Sequence, residues 1–361
     1  MAYADRIQII EKIQRLRRSV VICYLTSVRP NMAAQMSDDA VRVIFDQMLR
    51  LDRRPIPKLD IFLCSNGGSG TVPWRLISLF REYARKVCVL LPYRAYSAAT
   101  MLAIGADEIV MHPFAEMGPI DPTVSNDFNP IDPAQNRRLG ISVEDVKAYI
   151  SFIKTTVGIQ HEDELIKAIE ILAQKVHPLA LGNVERFLSQ SRMIAKKIMR
   201  THMDDVSAHK IDEIVENLAS KLYFHGHPIN RAEAKTELGL KVVYPSRPLE
   251  DAMWKLYLEF EAELKNRETF DFMGEIYRKV SQPAGSIIVP GAAPSASVPV
   301  GTEVDFDLLL AFVEGVRRSS YFKQKMRFVV VGAGTNSEPL VRQEITVQQW
   351  EHSEAPTPPP N

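Results

Sequence analysis

The chain has 361 residues, 46% hydrophobic and 24% charged, with Lys+Arg and Asp+Glu both numbering 44. That length can bury a sizeable core as one large domain or two smaller ones. The neutral balance excludes the basic footprint of a nucleic-acid binder or of a protein held on an anionic membrane.

No run of about 18 apolar residues is present to span a bilayer, and residues 1–18 are amphipathic, with no apolar signal core. A cytoplasmic protein with no direct membrane insertion and no nucleic-acid partner is expected. Cys23, Cys64 and Cys88 lie inside apolar runs without a CxxC pair, and read as small buried hydrophobes in a reducing compartment.

Residues 4–18 place Ile7, Ile10, Ile13 and Leu16 on one helical face, and Arg15, Arg17 and Arg18 read as its solvated end. A first strand follows over 19–26, apolar nearly throughout, as a strand covered on both faces would be. A helix is predicted over 37–50 and a second strand over 59–64. The loop Ser65-Asn-Gly-Gly-Ser-Gly70 comes next, then a helix from Thr71 and Pro73 to about Tyr83 and a strand over 87–91. This is a βαβ unit whose glycine loop leaves backbone N–H groups free to stabilise negative charge. It lacks a Walker Lys-Ser/Thr ending and the G-x-G-x-x-G spacing, which discounts a nucleotide site. A plain tight turn is the alternative.

The next stretch, Arg94 to His112, sets Ser97 between a strand end and a small-residue helix and returns to a strand at Glu108–His112. A serine so placed has an exposed hydroxyl and backbone N–H groups beside it, which is what an acyl-transfer nucleophile needs. Three prolines and a glycine shape the loop 113–122, and 123–138 reads as an exposed excursion. Ser142 opens a helix on which Lys147 and Lys154, seven apart, share nearly one face.

Helices are expected over 164–175, 183–201 and 206–222, with Arg192, Lys196, Lys197 and Arg200 on a solvated face. His225 and His227 read as turn residues and not as metal ligands. Asn230 and Glu233 resemble a capping box, with Gly239 as a helix C-cap. A long amphipathic helix is predicted over 249–280, a Pro/Gly/Ala/Ser linker near 282–300, a helix near 305–318 and a strand over 327–331. A disordered tail is expected over 355–361.

Five stretches carry a resemblance. Ala95-Tyr-Ser-Ala-Ala-Thr, Ala106-Asp-Glu-Ile-Val-Met and Met117-Gly-Pro-Ile-Asp-Pro resemble the serine dehydrogenase proteinase family, a branch of the Clp protease/crotonase superfamily related to signal peptide peptidase A. Ser65–Gly70 resembles the superfamily's glycine-pair oxyanion loop, and Gly226–Leu240 resembles its closing turn, helix and Gly-Leu signature. The match spans about residues 19–245. It implies an α/β fold with a spiral of ββα units and flanking helices. The implied organisation is a peptidase-like domain over 1–280 with a helical region at about 142–222, the linker 281–300, and a small α/β extension over 301–354 of unassigned role.

The resemblance also implies serine peptidase chemistry on a peptide or protein substrate, without metal or organic cofactor, in a homo-oligomer. Ser97 matches the nucleophile. Gly68 and the backbone N–H of Ala98 match the oxyanion hole, and Gly67 and Ser69 fall where substrate binds. For the base, Lys147 stands in the region where signal-peptide-type peptidases carry their lysine, with Lys154 as second choice and His112 third. Asp121 falls beside the cleft as a loop-fixing group. Two other readings stay open: a catalytically silent binding or assembly module, and acyl-CoA chemistry, which requires no serine at the start of that helix.

Overall fold

A computed structural model describes residues 3–51, 54–120, 123–124, 127–132, 137–204, 207–221, 226–281, 299–333 and 339–355. The first half runs α1 (Tyr3–Arg17), β1 (Val20–Thr26), α2 (Asp38–Leu49), β2 (Leu59–Cys64), α3 (Val72–Tyr83), β3 (Val87–Leu91), β4 (Arg94–Ala95), α4 (Ala98–Ile104), β5 (Glu108–Met111) and β6 (Glu116–Met117). Short strands β7 (Thr123–Val124), β8 (Ile131–Asp132), β9 (Arg137–Arg138) and β10 (Ile141–Ser142) lead into α5 (Val143–Ser151), α6 (Glu162–Lys175), α7 (Pro178–Met199) and α8 (Ala208–Glu216). The chain continues through β11 (Ile229–Asn230), α9 (Arg231–Thr236), β12 (Val242–Val243), α10 (Arg247–Glu263) and α11 (Phe272–Ser281). It ends in β13 (Glu303–Glu314), β14 (Arg318–Ala333) and β15 (Pro339–Glu354).

The architecture is α/β. One sheet of eight strands has the order β12-β5-β3-β2-β1-β13-β14-β15, parallel from β12 to β1 and antiparallel beyond. Strand alternation sorts the side chains of the parallel part between two cores. Ile22, Tyr24, Ile61 and Leu63 face the α2, α3, α4 and α7 side. Val21, Cys23, Leu25, Phe62 and Cys64 face α1 and α10. Coverage on both faces is why these strands are apolar nearly throughout. On α10 the buried set Leu249, Met253, Leu256, Tyr257 and Phe260 follows helical spacing, and it meets Ile9, Ile10 and Ile13 of α1 in the same core. All three cysteines are buried and unpaired.

A second, smaller sheet, β11-β6-β4, lies where the main strands end. Ser65 just after β2 bridges to Ala95 of β4, and β4 pairs in parallel with β6. Strands β2, β3 and β5 therefore each run on into a short piece of the small sheet, and after the first two the chain turns into α3 and α4. This repeat stacks the turns after the strands on one edge, where Ser97 lies.

Several expectations are corrected. Residues predicted as a helix near 305–318 form β13, and the strand expected over 327–331 is part of the 16-residue β14. β13 pairs with β14 along its length, and its last four residues, Ala311–Glu314, pair also with β1 and are all buried, with Cys23 opposite Glu314 and Thr26 opposite Ala311. The single helix expected over 249–280 is two, broken where Lys265 takes φ 53° and Asn266 turns inward to accept from the Val28 N–H at 3.1 Å. Arg17 is no solvated helix end: it donates to Asp60 at 2.9 and 3.2 Å and to Glu108 at 2.6 Å. On α7 Lys197 and Arg200 are exposed as expected, while Arg192 and Lys196 form surface ion pairs with Glu216 and Asp212. The extension is clamped to the N-terminus by Arg6, which donates twice to buried Glu314 at 2.8 Å and stacks on Phe260 and Phe312. The greater part of the proposed linker (282–298), His225, and the tail from 356 lie outside the described residues.

Candidate active site

Ser97 sits between β4 and α4 with φ 52° and ψ −117°. A non-glycine residue with positive φ costs about 1–3 kcal/mol and persists only where its surroundings enforce it. Three contacts do so. The Ser97 N–H donates to the Pro119 carbonyl at 3.2 Å, the Met101 N–H donates to the Ser97 carbonyl at 3.0 Å, and the Tyr96 N–H donates to the Ser65 carbonyl at 3.0 Å. The Thr100 hydroxyl, fully buried, lies 2.6 Å from the Ala95 carbonyl and 2.8 Å from the Gly118 carbonyl, and so pins α4 to the loop after β6. The turn presents the Ser97 side chain, half-buried, to a cleft of about 520 Å³.

The glycine loop packs directly on this turn. A Cβ on Gly67 would fall 2.8 Å from the Ser97 Cβ and 2.6 Å from the Tyr96 carbonyl, so only glycine allows the approach. A Cβ on Gly68 would fall 2.3 Å from the Met36 carbonyl, and its φ of 153° suits glycine as well. The loop is held by its own polar groups. The Gly67 N–H donates to the Ser65 Oγ at 3.0 Å, and that oxygen lies 2.7 Å from the Thr26 Oγ1, both hydroxyls being buried. The Gly67 carbonyl accepts from Met36, and the Ser69 N–H donates to the Met36 carbonyl at 2.9 Å.

This accounting leaves two donors open. The Gly68 N–H donates to no group among the described residues, and the Ala98 N–H, first in α4, has no intrahelical acceptor. Gly67 is not an equivalent donor, because Ser65 already accepts its proton. Two N–H groups without acceptors, one on the adjoining loop and one on the residue after the serine, are the kind of donors that an oxyanion formed at a serine requires.

Of the residues singled out from the sequence, Ser97, Gly67, Gly68 and Ser69 come together in the cleft wall, and Ala98 lies behind Ser97. Phe187, Gln190 and Ser191 of α7 form the opposite wall, and the Ser191 hydroxyl donates to the Ile120 carbonyl at 2.8 Å. Asp121, the next residue, lies outside the described residues. None of the described lining residues carries a titratable side chain. Lys147 is half-buried on α5, which packs on α7, and Lys154 is exposed in the π turn Phe152–Thr156. Neither lines the cleft.

His112 is engaged elsewhere. Its ring stacks on Trp254 with centroids 5.0 Å apart and planes 11° apart, and its Nδ1 accepts from the Phe114 N–H at 3.1 Å. Burial lowers its pKa. His227 lies 2.7 Å from Glu233. Asn230 caps α9 through the N–H groups of Ala232 and Glu233 at 2.9 and 3.1 Å, so half of the expected capping box forms while Glu233 turns to His227. No group of three or more His, Cys, Asp or Glu side chains is placed to hold a metal among the described residues. No described helix is long and apolar enough to cross a membrane.

Sequence reasoning missed Thr26, Ser65, Thr100 and Ser191, the hydroxyls that fix the loop and the turn. Only the tertiary partner shows the role of each.

No protein-family model matches the chain. It is similar to two uncharacterized proteins of Methanocaldococcus jannaschii. The first is 25% identical over 194 residues, covering 54% of this chain and 54% of that protein. The second is 23% identical over 225 residues, covering 61% of this chain and 65% of that protein. The chain thus spans about half to two thirds of the length of the curated relatives it matches.

Proposed function

We propose that the protein is a serine acyl-transfer enzyme of the Clp/crotonase-like spiral type, a peptidase-like hydrolase acting through an acyl-enzyme on Ser97. The observation that carries this is the positive-φ turn at Ser97, set against a glycine loop with a free N–H at Gly68 and another at Ala98. A strained strand-to-helix turn that exposes a serine hydroxyl is the geometry of a nucleophile elbow. The repeat of main strand, short second-sheet strand and helix supports the spiral reading, as do the five stretches that resemble the serine dehydrogenase proteinase family and its superfamily.

In the proposed reaction the Ser97 Oγ attacks the scissile carbonyl and its proton passes to a base. The Gly68 and Ala98 N–H groups take the oxyanion, the amine leaves with the proton, and water repeats the sequence to release the acid. Lys147 is the proposed base, and must come within hydrogen-bond reach of Ser97 through movement of α5 or on substrate binding. The substrate strand runs beside Gly67–Ser69.

A second reading, a silent binding module on the same fold, is favoured by the lack of a titratable side chain among the described lining residues. A fluorophosphonate separates the two. Labelling of the wild type that disappears in Ser97→Ala supports the enzyme, and a folded wild type that does not label supports the module.

A further inference from the structure

Strand β15 forms one edge of the eight-stranded sheet and pairs with β14 along its length. On its other side, no N–H or carbonyl group of β15 bonds the backbone of another strand among the described residues. A long open edge is a template for a further strand, and proteins blunt such edges with bulges, prolines and charges. The register of β15 shifts twice, at Thr346 and opposite Val331, and the segment Val341–Ile345 between the shifts is regular.

This segment, Val341-Arg-Gln-Glu-Ile345, has two unlike faces. Val341, Gln343 and Ile345 lie opposite Val330, Phe328 and Met326 of β14, which are buried in one apolar cluster. That apolar row runs off the edge of the sheet, where Ile345 is 52% exposed. Arg342 and Glu344 share the other face, bonded to each other at 2.8 Å and open to solvent.

Read backwards, the segment is complementary to itself. An antiparallel copy related by a twofold axis at Gln343 sets Val341 opposite Ile345, Arg342 opposite Glu344 and Gln343 opposite its own copy. Each apolar side chain then meets an apolar one, and each charge meets its opposite, the pairs that favour strand association. The match holds whichever residues turn their N–H groups outward, because the twofold makes both strands turn the same ones. Sliding one copy by two residues, which keeps the faces, sets Arg342 or Glu344 against itself, and sliding by one flips the faces.

We infer that this edge of β15 docks a second copy of the chain, strand to strand about Gln343, and so joins two eight-stranded sheets into one. The occupant is a second copy because a foreign strand needs only the open edge, whereas the reversed order of charges and apolar groups is what an isologous contact requires. The C-terminal extension thereby gains a role in assembly, and that role does not depend on chemistry at Ser97.

The test is sedimentation velocity of the full chain from about 1 to 300 µM, since one strand pair is small beside a standard interface of about 1,600 Å² and a dissociation constant on the order of 10 µM is expected. Arg342→Glu and Glu344→Arg each place like charges across both symmetric pairs, and each is expected to weaken dimerisation at least about tenfold. Mixing the two single variants restores every opposite pair, as does the double variant, and both samples are expected to dimerise like the wild type. Gln343→Cys is expected to cross-link to its own copy under mild oxidation, because side chains directly opposite have Cβ atoms about 4.5–5.5 Å apart. Val341→Cys, which faces Ile345 of the copy, is not. A wild type that stays monomeric throughout, as it would if this edge took a foreign strand or none, overturns the inference. So does dimerisation unchanged in both single variants, or a mixture of them that stays monomeric.

Discussion

Gly67 stands so close to Ser97 that a methyl group on the glycine would fall 2.8 Å from the serine Cβ. The loop and the turn are therefore one unit, and the chemistry proposed for Ser97 depends on a residue with no side chain. Gly67→Ala is expected to destabilise the protein by about 2 kcal/mol through its φ of 95° and the clash. It should also slow fluorophosphonate labelling far more than that loss explains. Thermal unfolding and labelling of the same preparation check both, and a variant that labels normally would detach the loop from the site.

Ser65 is the hydroxyl that sets the loop. Ser65→Ala leaves the buried Gly67 N–H without its acceptor and Thr26 without its partner. The expected loss is about 1–3 kcal/mol in urea unfolding, with labelling slowed. Thr26→Val removes only one of these bonds and should lose less. A larger loss in Thr26→Val would show that Ser65 is not the organising group.

His112 should be dispensable for chemistry. Its stack on Trp254 survives in His112→Phe, so labelling of Ser97 is expected at the wild-type rate. Lys147→Ala is expected to slow labelling by about a hundredfold or more, the range for loss of a general base. The opposite pattern, measured by stopped-time labelling, would move the base to the histidine.

Acid should destabilise the protein in two stages. Burial, with the Arg81 charge second, lowers the His202 pKa to about 4 from 6.5. The unfolded chain takes up this proton first, so stability falls as pH drops from 6.5 to 4. Glu108 is held at about 2 against an ordinary 4.5. Burial pushes its pKa up, but hydrogen bonds from Lys86 and Arg17 outweigh it. Its contribution is present above 4.5 and lost as pH falls toward 2. Urea midpoints across pH should show the upper stage flattened in His202→Gln and the lower one in Glu108→Gln. Unchanged slopes in both would contradict the assignment.

The parallel strands were legible because double coverage makes them continuous apolar runs: β2 and β3 have the bounds expected from the sequence. The serine and glycine loop were legible as punctuation between those runs. Strand β13 was not, because Leu308-Leu-Leu-Ala-Phe-Val313 suits either period, and one of its two partners, β1, lies at the far end of the chain. The break at Lys265 was hidden because Asn266 is placed by contacts with Ser27 and Val28, distant in sequence. The base could not be read from spacing alone, since a lysine on a helix face gives no sign of which side is desolvated.

The central claim is that Ser97 forms an acyl-enzyme, and mass spectrometry after brief exposure to p-nitrophenyl acetate tests it most directly. The account predicts one acetyl group per chain, mapped to the peptide that contains Ser97, with a stoichiometric burst of nitrophenol and neither signal in Ser97→Ala. An acetyl group on another residue, or a burst that persists in Ser97→Ala, would contradict it.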